Sequence, residues 1–265
     1  MDLLDIGANL GHDSFARDLP QVLARAQAAG VRQMLVTGAS RAGSVAARDL
    51  AAAHPGVLYA TAGIHPHHAG ELDAEAEAEL RALLHDPRVR AVGETGLDYH
   101  RNFAPRAAQL QAFERQLALA GDLHMPLFLH QRDAHADFLP LLRAVRDAVP
   151  AAVVHCFTDQ RQALYDYLDL DCHIGITGWI CDERRGTHLR ELVALIPPTR
   201  LLLETDAPYL LPRTLRPPPT DRRNEPAFLT EVLAAVAAAR GEAPQALAAQ
   251  TSANARAVFG LAHPA

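Results

Sequence analysis

Short apolar segments recur along this chain and alternate with longer stretches rich in alanine, leucine and arginine. Segments such as LLLETD, at residues 201–206, are apolar on both faces, which is typical of strands buried on both sides in a parallel sheet. We predict eight such strands, at Leu3–Leu10, Gln33–Ala39, Leu58–His65, Val89–Leu97, Pro126–Arg132, Ala151–Phe157, Cys172–Thr177 and Leu201–Asp206.

The stretches between these strands are predicted to be helices. Examples are Leu19–Ala29 followed by Gly30, Arg106–Ala120 followed by Gly121, and Ala134–Ala148 followed by Pro150. Glycine and proline after the last helical residue are stop signals. Eight strands that alternate strictly with helices predict an α/β fold, a (β/α)8 TIM barrel. No low-complexity linker interrupts the pattern, so we expect a single domain over residues 1–265.

Composition narrows the classes of function. No apolar run approaches the roughly 18 residues that a membrane helix needs, and the acidic opening MDLLD lacks the basic region of a secretion signal, so we expect a cytoplasmic protein without membrane contact. The net charge of −6 argues against a broad surface for duplex DNA, but not against phosphate in a locally positive pocket. Three scattered cysteines favour neither a disulfide framework nor a thiolate zinc site. The absence of lysine excludes catalysis by a lysine amine.

Ionisable side chains stand where several predicted strands end. Glu94, His130, His155 and Asp206 each follow an apolar run. Because the carboxyl ends of barrel strands face one mouth, we expect these four side chains to meet there. Carboxylates combined with two imidazoles suit Zn, Mn or Fe, whereas Mg prefers oxygen. For each position taken alone, a polar residue that merely caps a strand is the alternative interpretation.

Neighbouring residues are placed at the mouth by their spacing. Asp206 is expected to bind metal or to act as a general base, and Glu204, which shares its face, to orient a ligand from behind. His65 is expected to steady an anion or to assist a leaving group. His67 and His68 either join it or lie in a solvated loop.

Arginines cluster in the loops after the seventh and eighth strands. These loops often form phosphate sites in barrels, and the planar guanidinium group matches phosphate oxygens. The predicted substrate-binding residues are Arg184, Arg185, Arg222 and Arg223. Pairing with nearby acidic residues is the alternative. Phe103, Trp179 and Tyr209 are candidates to stack on nucleobases, although each also suits ordinary packing.

These segments occur in the order of a known family. GIHPH, GETGLDY, FLHQRD, VVHCF, GITG, LLLETDAPYL and RRNEP resemble the motifs of the TatD family of metal-dependent nucleases, over about residues 5–259, and the opening DIGANL is similar to that of the founding member. The resemblance implies a TIM barrel of the amidohydrolase superfamily. It also implies a Mg²⁺- or Mn²⁺-dependent deoxyribonuclease that trims DNA from the 3′ end, in DNA repair or turnover.

The first strand departs from the family pattern, in which Asp-x-His-x-His supplies two histidines to one of two metals. The matching residues here are Asp5, Gly7 and Asn9. The resemblance then implies that a site of Glu94, His130 and His155 persists. A second site, relying on Glu94, Asp206 and Asn9, is expected to be weak or to fill only with substrate. Fewer nitrogen ligands shift the expected cofactor toward Mg²⁺, with Mn²⁺ or Zn²⁺ as alternatives.

These features together predict a hydrolase. A divalent metal held by Glu94, His130, His155 and Asp206 is expected to activate water toward a phosphodiester, with Asp206, Glu94 and His65 as the catalytic residues. We expect a monomeric 3′–5′ exonuclease that prefers single-stranded DNA ends, with RNA as a further substrate. Two other functions stay open. They are hydrolysis of a small-molecule or aminoacyl-tRNA ester, and a non-catalytic barrel that binds nucleic acid or protein.

Overall fold

The computed structural model describes residues 1–264 and contains eight parallel strands in one sheet. Each strand pairs with the next one in sequence. The strands are β1 (Leu3–Ala8), β2 (Val31–Val36), β3 (Leu58–Ala62), β4 (Val89–Asp98), β5 (Leu127–Arg132), β6 (Ala152–Val154), β7 (His173–Ile176) and β8 (Leu201–Leu203). Parallel neighbours need a crossover connection, and helices supply most of these crossovers.

The sheet closes on itself where β1 meets the segment that follows β8. Ala8 forms a parallel bridge with Ala207. The Asp206 amide donates to the Gly7 carbonyl over 2.8 Å, and the Asn9 amide donates to the Ala207 carbonyl over 2.7 Å. These bonds complete a barrel, which confirms the predicted (β/α)8 fold.

Helices surround the barrel and cover its outer face. In the described part of the chain they are α1 (Leu19–Ala28), α2 (Arg41–Ala53), α3 (Ala74–Leu84), α4 (Arg106–Leu123), α5 (His135–Val145), α6 (Arg161–Asp169), α7 (Thr187–Leu192), α8 (Leu229–Arg240) and α9 (Pro244–Phe259). Within residues 1–264, every helix falls short of the length and hydropathy that a bilayer-spanning segment requires.

Two of the predicted helix ends differ from the structure. Helix α4 continues through Gly121 and ends at Leu123, followed by the capping residue His124 with a left-handed φ of 50°, so the predicted stop at Gly121 is wrong. A glycine inside a helix costs only about 1 kcal/mol relative to alanine, and the buried face of α4, which includes Phe113 and Leu117, offsets that cost. Helix α5 is shorter than predicted because a 3-10 turn, Arg146–Ala148, replaces its last residues.

Apolar side chains fill the lower part of the barrel interior. Phe128 of β5, Val153 of β6 and Leu202 of β8 are fully buried and share one cluster with Phe259 of α9. Because side chains alternate between the two faces of a strand, the residue two positions further along points into the same interior. Those residues are His130, His155 and Glu204. The apolar floor of the barrel therefore continues upward into a layer of ionisable groups.

Strand boundaries at the mouth differ from the predicted ones. Strands β6 and β8 end at Val154 and Leu203, so His155 and Asp206 lie in the loops that follow. Glu94 lies inside β4, which pairs with β5 on both sides of a register shift between residues 92 and 95. The backbone at the mouth therefore leaves regular pairing where the ionisable side chains are presented.

One buried carboxylate joins β1 to the end of β8. Asp5 accepts hydrogen bonds at Oδ1 from the amides of Thr205 (2.9 Å) and Gly7 (3.2 Å), and at Oδ2 from the Thr205 hydroxyl (2.5 Å). Burial raises the pKa of Asp5 to about 7, although the Thr205 bonds act in the opposite direction. Asp5 thus ties β1 to Thr205, the residue that precedes Asp206.

We expect Asp5→Ala to destabilise the protein because two buried amides lose their acceptor, at about 1–3 kcal/mol for each unsatisfied group. The melting temperature, measured by circular dichroism, should fall by about 2–4 °C for each kcal/mol of stability lost. Asp5→Asn is the matched control, since it keeps an acceptor oxygen and can donate to the Thr205 hydroxyl. Equal melting temperatures for the two variants would contradict this role.

Candidate metal centre and active site

Three imidazole nitrogens converge on one oxygen of Glu94. Glu94 Oε1 lies 2.7 Å from His155 Nε2, 3.1 Å from His130 Nδ1 and 3.4 Å from His65 Nε2. The ligand atoms of His65, Glu94 and His130 all lie within 4.8 Å of one another, close enough to share one cation. The structure thus brings together three of the four predicted metal ligands and adds His65 to them.

The outer nitrogens of two imidazoles face carboxylates. His155 Nδ1 lies 3.2 Å from Glu204 Oε2, and His130 Nε2 lies 3.5 Å from Asp98 Oδ2. Histidines that bind metals almost always have such an outer partner, which fixes the ring and its tautomer. The donor set of one carboxylate and two or three imidazoles, backed by carboxylates, therefore fits a divalent cation.

Glu204 is fully buried and fills a space that two glycines leave open. A Cβ atom at Gly7 would lie 2.5 Å from one Glu204 oxygen, and a Cβ atom at Gly175 would lie 2.5 Å from the other. The Cys156 amide also donates to Glu204 Oε1, over 2.5 Å. The structure places Glu204 behind His155, where the sequence predicted it, but the sequence did not indicate that Gly7 and Gly175 make the room.

Asp98 is a site residue that the sequence analysis missed. It is 2 % exposed and accepts from His67 Nε2 (2.8 Å) and from the Arg101 amide (2.8 Å), in addition to its approach to His130. These partners hold its pKa well below the ordinary value, against burial, which acts to raise it. Residues 94 and 98 share parity on one strand, and this spacing was the available signal.

Asp206 lies at the same mouth, beside β1. Its Oδ1 accepts a hydrogen bond from Asn9 Nδ2 over 2.9 Å. Burial, followed by the negative charges of Glu94 and Glu204, raises the pKa of Asp206 from 3.8 to about 7, although His155 acts to lower it. A carboxylate whose pKa lies near neutrality is suited to accept a proton.

The imidazoles and Glu94 perturb one another strongly. Burial acts to raise the pKa of Glu94, but the charge of His155 and the hydrogen bonds from His155 and His130 hold that pKa well below its usual range. Burial drives the pKa of His65 well below 6.5. A neutral imidazole suits a metal ligand or a hydrogen-bonding group, and the part of His65 in steadying an anion or assisting a leaving group stays a prediction.

A cavity of about 530 Å³ opens above this cluster. Two arginines line it, Arg101 from the loop after β4 and Arg132 from the end of β5. Neither was predicted as a site residue. Within residues 1–264, neither Arg101 nor Arg132 has a carboxylate within ion-pair distance, and both side chains line the cavity.

The four predicted substrate-binding arginines lie outside the lining of this cavity in the described chain. Arg223 is 12 % exposed and pairs with Asp18 and Glu225, each over 2.7 Å. Arg222 lines a separate cavity of about 390 Å³ together with Arg213 and Arg216. Arg184 and Arg185 are exposed on the loop after β7. Substrate binding by these four stays a prediction, and the ion pairs of Arg223 argue against its part in it.

Comparison with known proteins identifies the family of this chain. The model of the family described as TatD related DNase matches residues 4–260. The chain belongs to the TatD-related DNase family. The family membership predicted from the sequence motifs is therefore confirmed, and this metal-dependent family agrees with the candidate metal centre around Glu94.

Relatives match the TatD-family chain over nearly its whole length. A protein of Erwinia billingiae named 3′-5′ ssDNA/RNA exonuclease TatD is 52% identical over 259 residues, which cover 98% of this chain and 99% of the relative. A protein of the same name from Klebsiella pneumoniae is also 52% identical, covering 98% of each chain. The crystal structure of YJJV, a TatD homologue from Escherichia coli K12, has a TM-score of 0.89 at 27% identity and covers 98% of both chains.

We expect Asp98→Asn to weaken binding of a divalent cation by about 10- to 100-fold, the usual effect of removing a partner behind a ligand. The measurement is calorimetric titration of metal-free protein with Mn²⁺. Asp133→Asn is the control, because Asp133 is an exposed carboxylate at the same rim, 3.0 Å from His100. Unchanged Mn²⁺ affinity in Asp98→Asn would show that Asp98 does not support the site.

We expect Asp206→Asn to change the pH dependence of stability in the metal-free protein. Because the pKa of Asp206 is raised to about 7 in the folded protein, its protonated form stabilises the fold. This contribution to the free energy of unfolding is fully present below about pH 4 and is lost as the pH rises to about 7. The variant lacks that loss. Its melting temperature minus that of the wild type should therefore increase from pH 4 to pH 7, measured in EDTA. A difference that stays flat or shrinks would refute the raised pKa.

Proposed function

We propose that this chain is a metal-dependent hydrolase of phosphodiester bonds, an exonuclease that releases nucleotides from the 3′ end of single-stranded DNA or RNA. The observation that carries the proposal is the convergence of His65, His130 and His155 on Glu94 beneath a cavity that also holds arginines. The names of the relatives at 52% identity support the same reaction. One hydrolase domain over residues 1–265 is part of the proposal.

The candidate metal ligands are Glu94, His130 and His155, with His65 or Asp206 completing the set. These residues would hold a divalent cation, which would lower the pKa of a water and would offset the negative charge of a phosphate. We propose Mg²⁺ as that cation, because Gly7 and Asn9 supply no imidazole from β1. Mn²⁺ and Zn²⁺ are the alternatives that a metal titration of activity separates.

The remaining side chains at the site transfer a proton or bind phosphate oxygens. Asp206, held by Asn9, accepts the proton of the attacking water at a carboxylate oxygen. Arg101 and Arg132 bind non-bridging oxygens of the phosphate, which their planar donors match. Arg184, Arg185 and Arg222 contact phosphates further along the strand, whereas Arg223 instead holds Asp18 and Glu225 together.

Two other functions are less well supported by this geometry. A scaffold that only binds nucleic acid has no need of a buried carboxylate ringed by imidazoles, because such a group is costly to bury. Hydrolysis of a neutral ester uses the same centre but makes no use of Arg101 and Arg132. A cytoplasmic location, a monomeric state and a role in DNA repair stay predictions.

We expect Glu94→Gln to lower nucleotide release by more than about 100-fold, beyond the range for residues that only support a ligand. The assay follows 5′-labelled single-stranded DNA, duplex DNA and RNA with each metal, since shortening of the labelled strand reports digestion from the 3′ end. Glu114→Gln is the control, because Glu114 is exposed on α4. Ester hydrolysis without nucleotide release by the wild type would overturn the proposal.

A further inference from the structure

Two aromatic side chains are exposed at the mouth of the barrel. Phe103 is 69 % exposed and Tyr209 is 52 % exposed, and both line the cavity above Glu94. Aromatic rings are normally buried in cores, and rings left in water beside a functional cavity commonly mark a binding surface. Each ring lies near one histidine, Phe103 near His67 and Tyr209 near His12, and otherwise remains largely in water.

The two rings face the cavity from opposite sides. Phe103 belongs to the loop after β4, and Tyr209 belongs to the loop after β8. In a closed barrel of eight strands in sequential order, β4 and β8 lie across the barrel from each other. The candidate metal centre lies on the floor between them, so a phosphodiester bound there has one aromatic ring on each side.

Both rings are carried by backbone that is tied to site residues. The Tyr209 amide donates to the Asp206 carbonyl over 3.0 Å, and the Tyr209 carbonyl accepts from Asn224 Nδ2 over 2.7 Å. The Phe103 ring centroid lies 4.6 Å from that of His67, which is bonded to Asp98. These contacts place both residues at the rim of the cavity above Glu94.

Positive charge lines the same cavity as the two aromatic rings. Arg101 and Arg132 line the same cavity, and the Arg132 guanidinium carbon lies 5.7 Å from the centroid of the Trp179 ring. Arginines interleaved with exposed aromatic rings are typical of surfaces that bind single-stranded nucleic acid, where bases stack on rings and phosphates meet cations.

We propose that Phe103 and Tyr209 are two nucleobase subsites on either side of the scissile phosphodiester. One ring stacks on the terminal base of the strand, and the other stacks on the penultimate base. The two bases are thereby drawn apart, which a base-paired end resists, so these rings produce the preference for single strands. The inference rests on the proposed nuclease function and assigns its substrate contacts.

The test combines alanine variants of the protein with oligonucleotide substrates that lack one base. Phe103→Ala and Tyr209→Ala are assayed on single-stranded oligonucleotides that carry a stable abasic residue at the terminal or the penultimate position. Each variant should lower kcat/KM on the intact strand by about 5- to 150-fold, the range that loss of one base stack gives. Tyr165→Ala is the matched control, since Tyr165 is 40 % exposed on α6, away from the cavity.

The expected result is a reciprocal pattern. Removing one of the two bases should abolish the effect of Phe103→Ala, and removing the other should abolish the effect of Tyr209→Ala. Tyr209→Phe, which keeps the ring, should retain wild-type kcat/KM. Melting temperatures equal to that of the wild type establish that the alanine variants are folded.

Different failures overturn different statements. If the effects of both alanine variants persist on every abasic strand, or if both variants respond to the same base, the two-subsite inference is wrong while the nuclease function stands. If the wild type releases no nucleotide from any oligonucleotide with any divalent metal, the proposed function itself fails, and the inference fails with it.

Discussion

A carboxylate buried at the top of an apolar barrel is the constraint on which the rest of the site depends. Glu94 is 6 % exposed, and an ionised carboxylate at such a place is unfavourable by several kcal/mol unless charge and donors compensate. Three imidazole nitrogens surround its Oε1 atom. Two further carboxylates face the outer nitrogens of two of these rings. The imidazoles therefore compensate the charge of Glu94, and the outer carboxylates in turn orient two of the imidazoles.

The same alternation that seals the barrel also delivers the site. Phe128 and Val153 close the interior; His130 follows two positions later on β5, and His155 follows two positions after Val153, just past the end of β6. Side chains alternate between the two faces of a strand, so a shift of one residue would turn both the apolar floor and the ligand layer away from the interior. Chemistry and folding consequently depend on one register of the sheet.

Much of this arrangement was predictable from the sequence because it is periodic. Eight apolar runs indicated the barrel, and ionisable residues after them indicated Glu94, His130 and His155 at one mouth. Asp98 was missed, despite its spacing from Glu94, because its role depends on contacts with His67 and His130 from other segments. Gly121 was misread because tertiary packing outweighs a weak stop signal. The sequence could not distinguish loop arginines that face a substrate from those that form ion pairs within the protein. Whether Arg223 pairs with Asp18 depends on a contact between segments that are distant in the sequence.

The space that Gly7 and Gly175 leave for Glu204 has a consequence for how this protein tolerates mutation. Neither glycine has a reactive atom, yet a single methyl group at either one would displace the carboxylate behind His155. A saturation screen for function would therefore rank these two backbone positions alongside the ligands themselves. Residues that contribute only empty volume can thus be as intolerant of replacement as those that contribute chemistry.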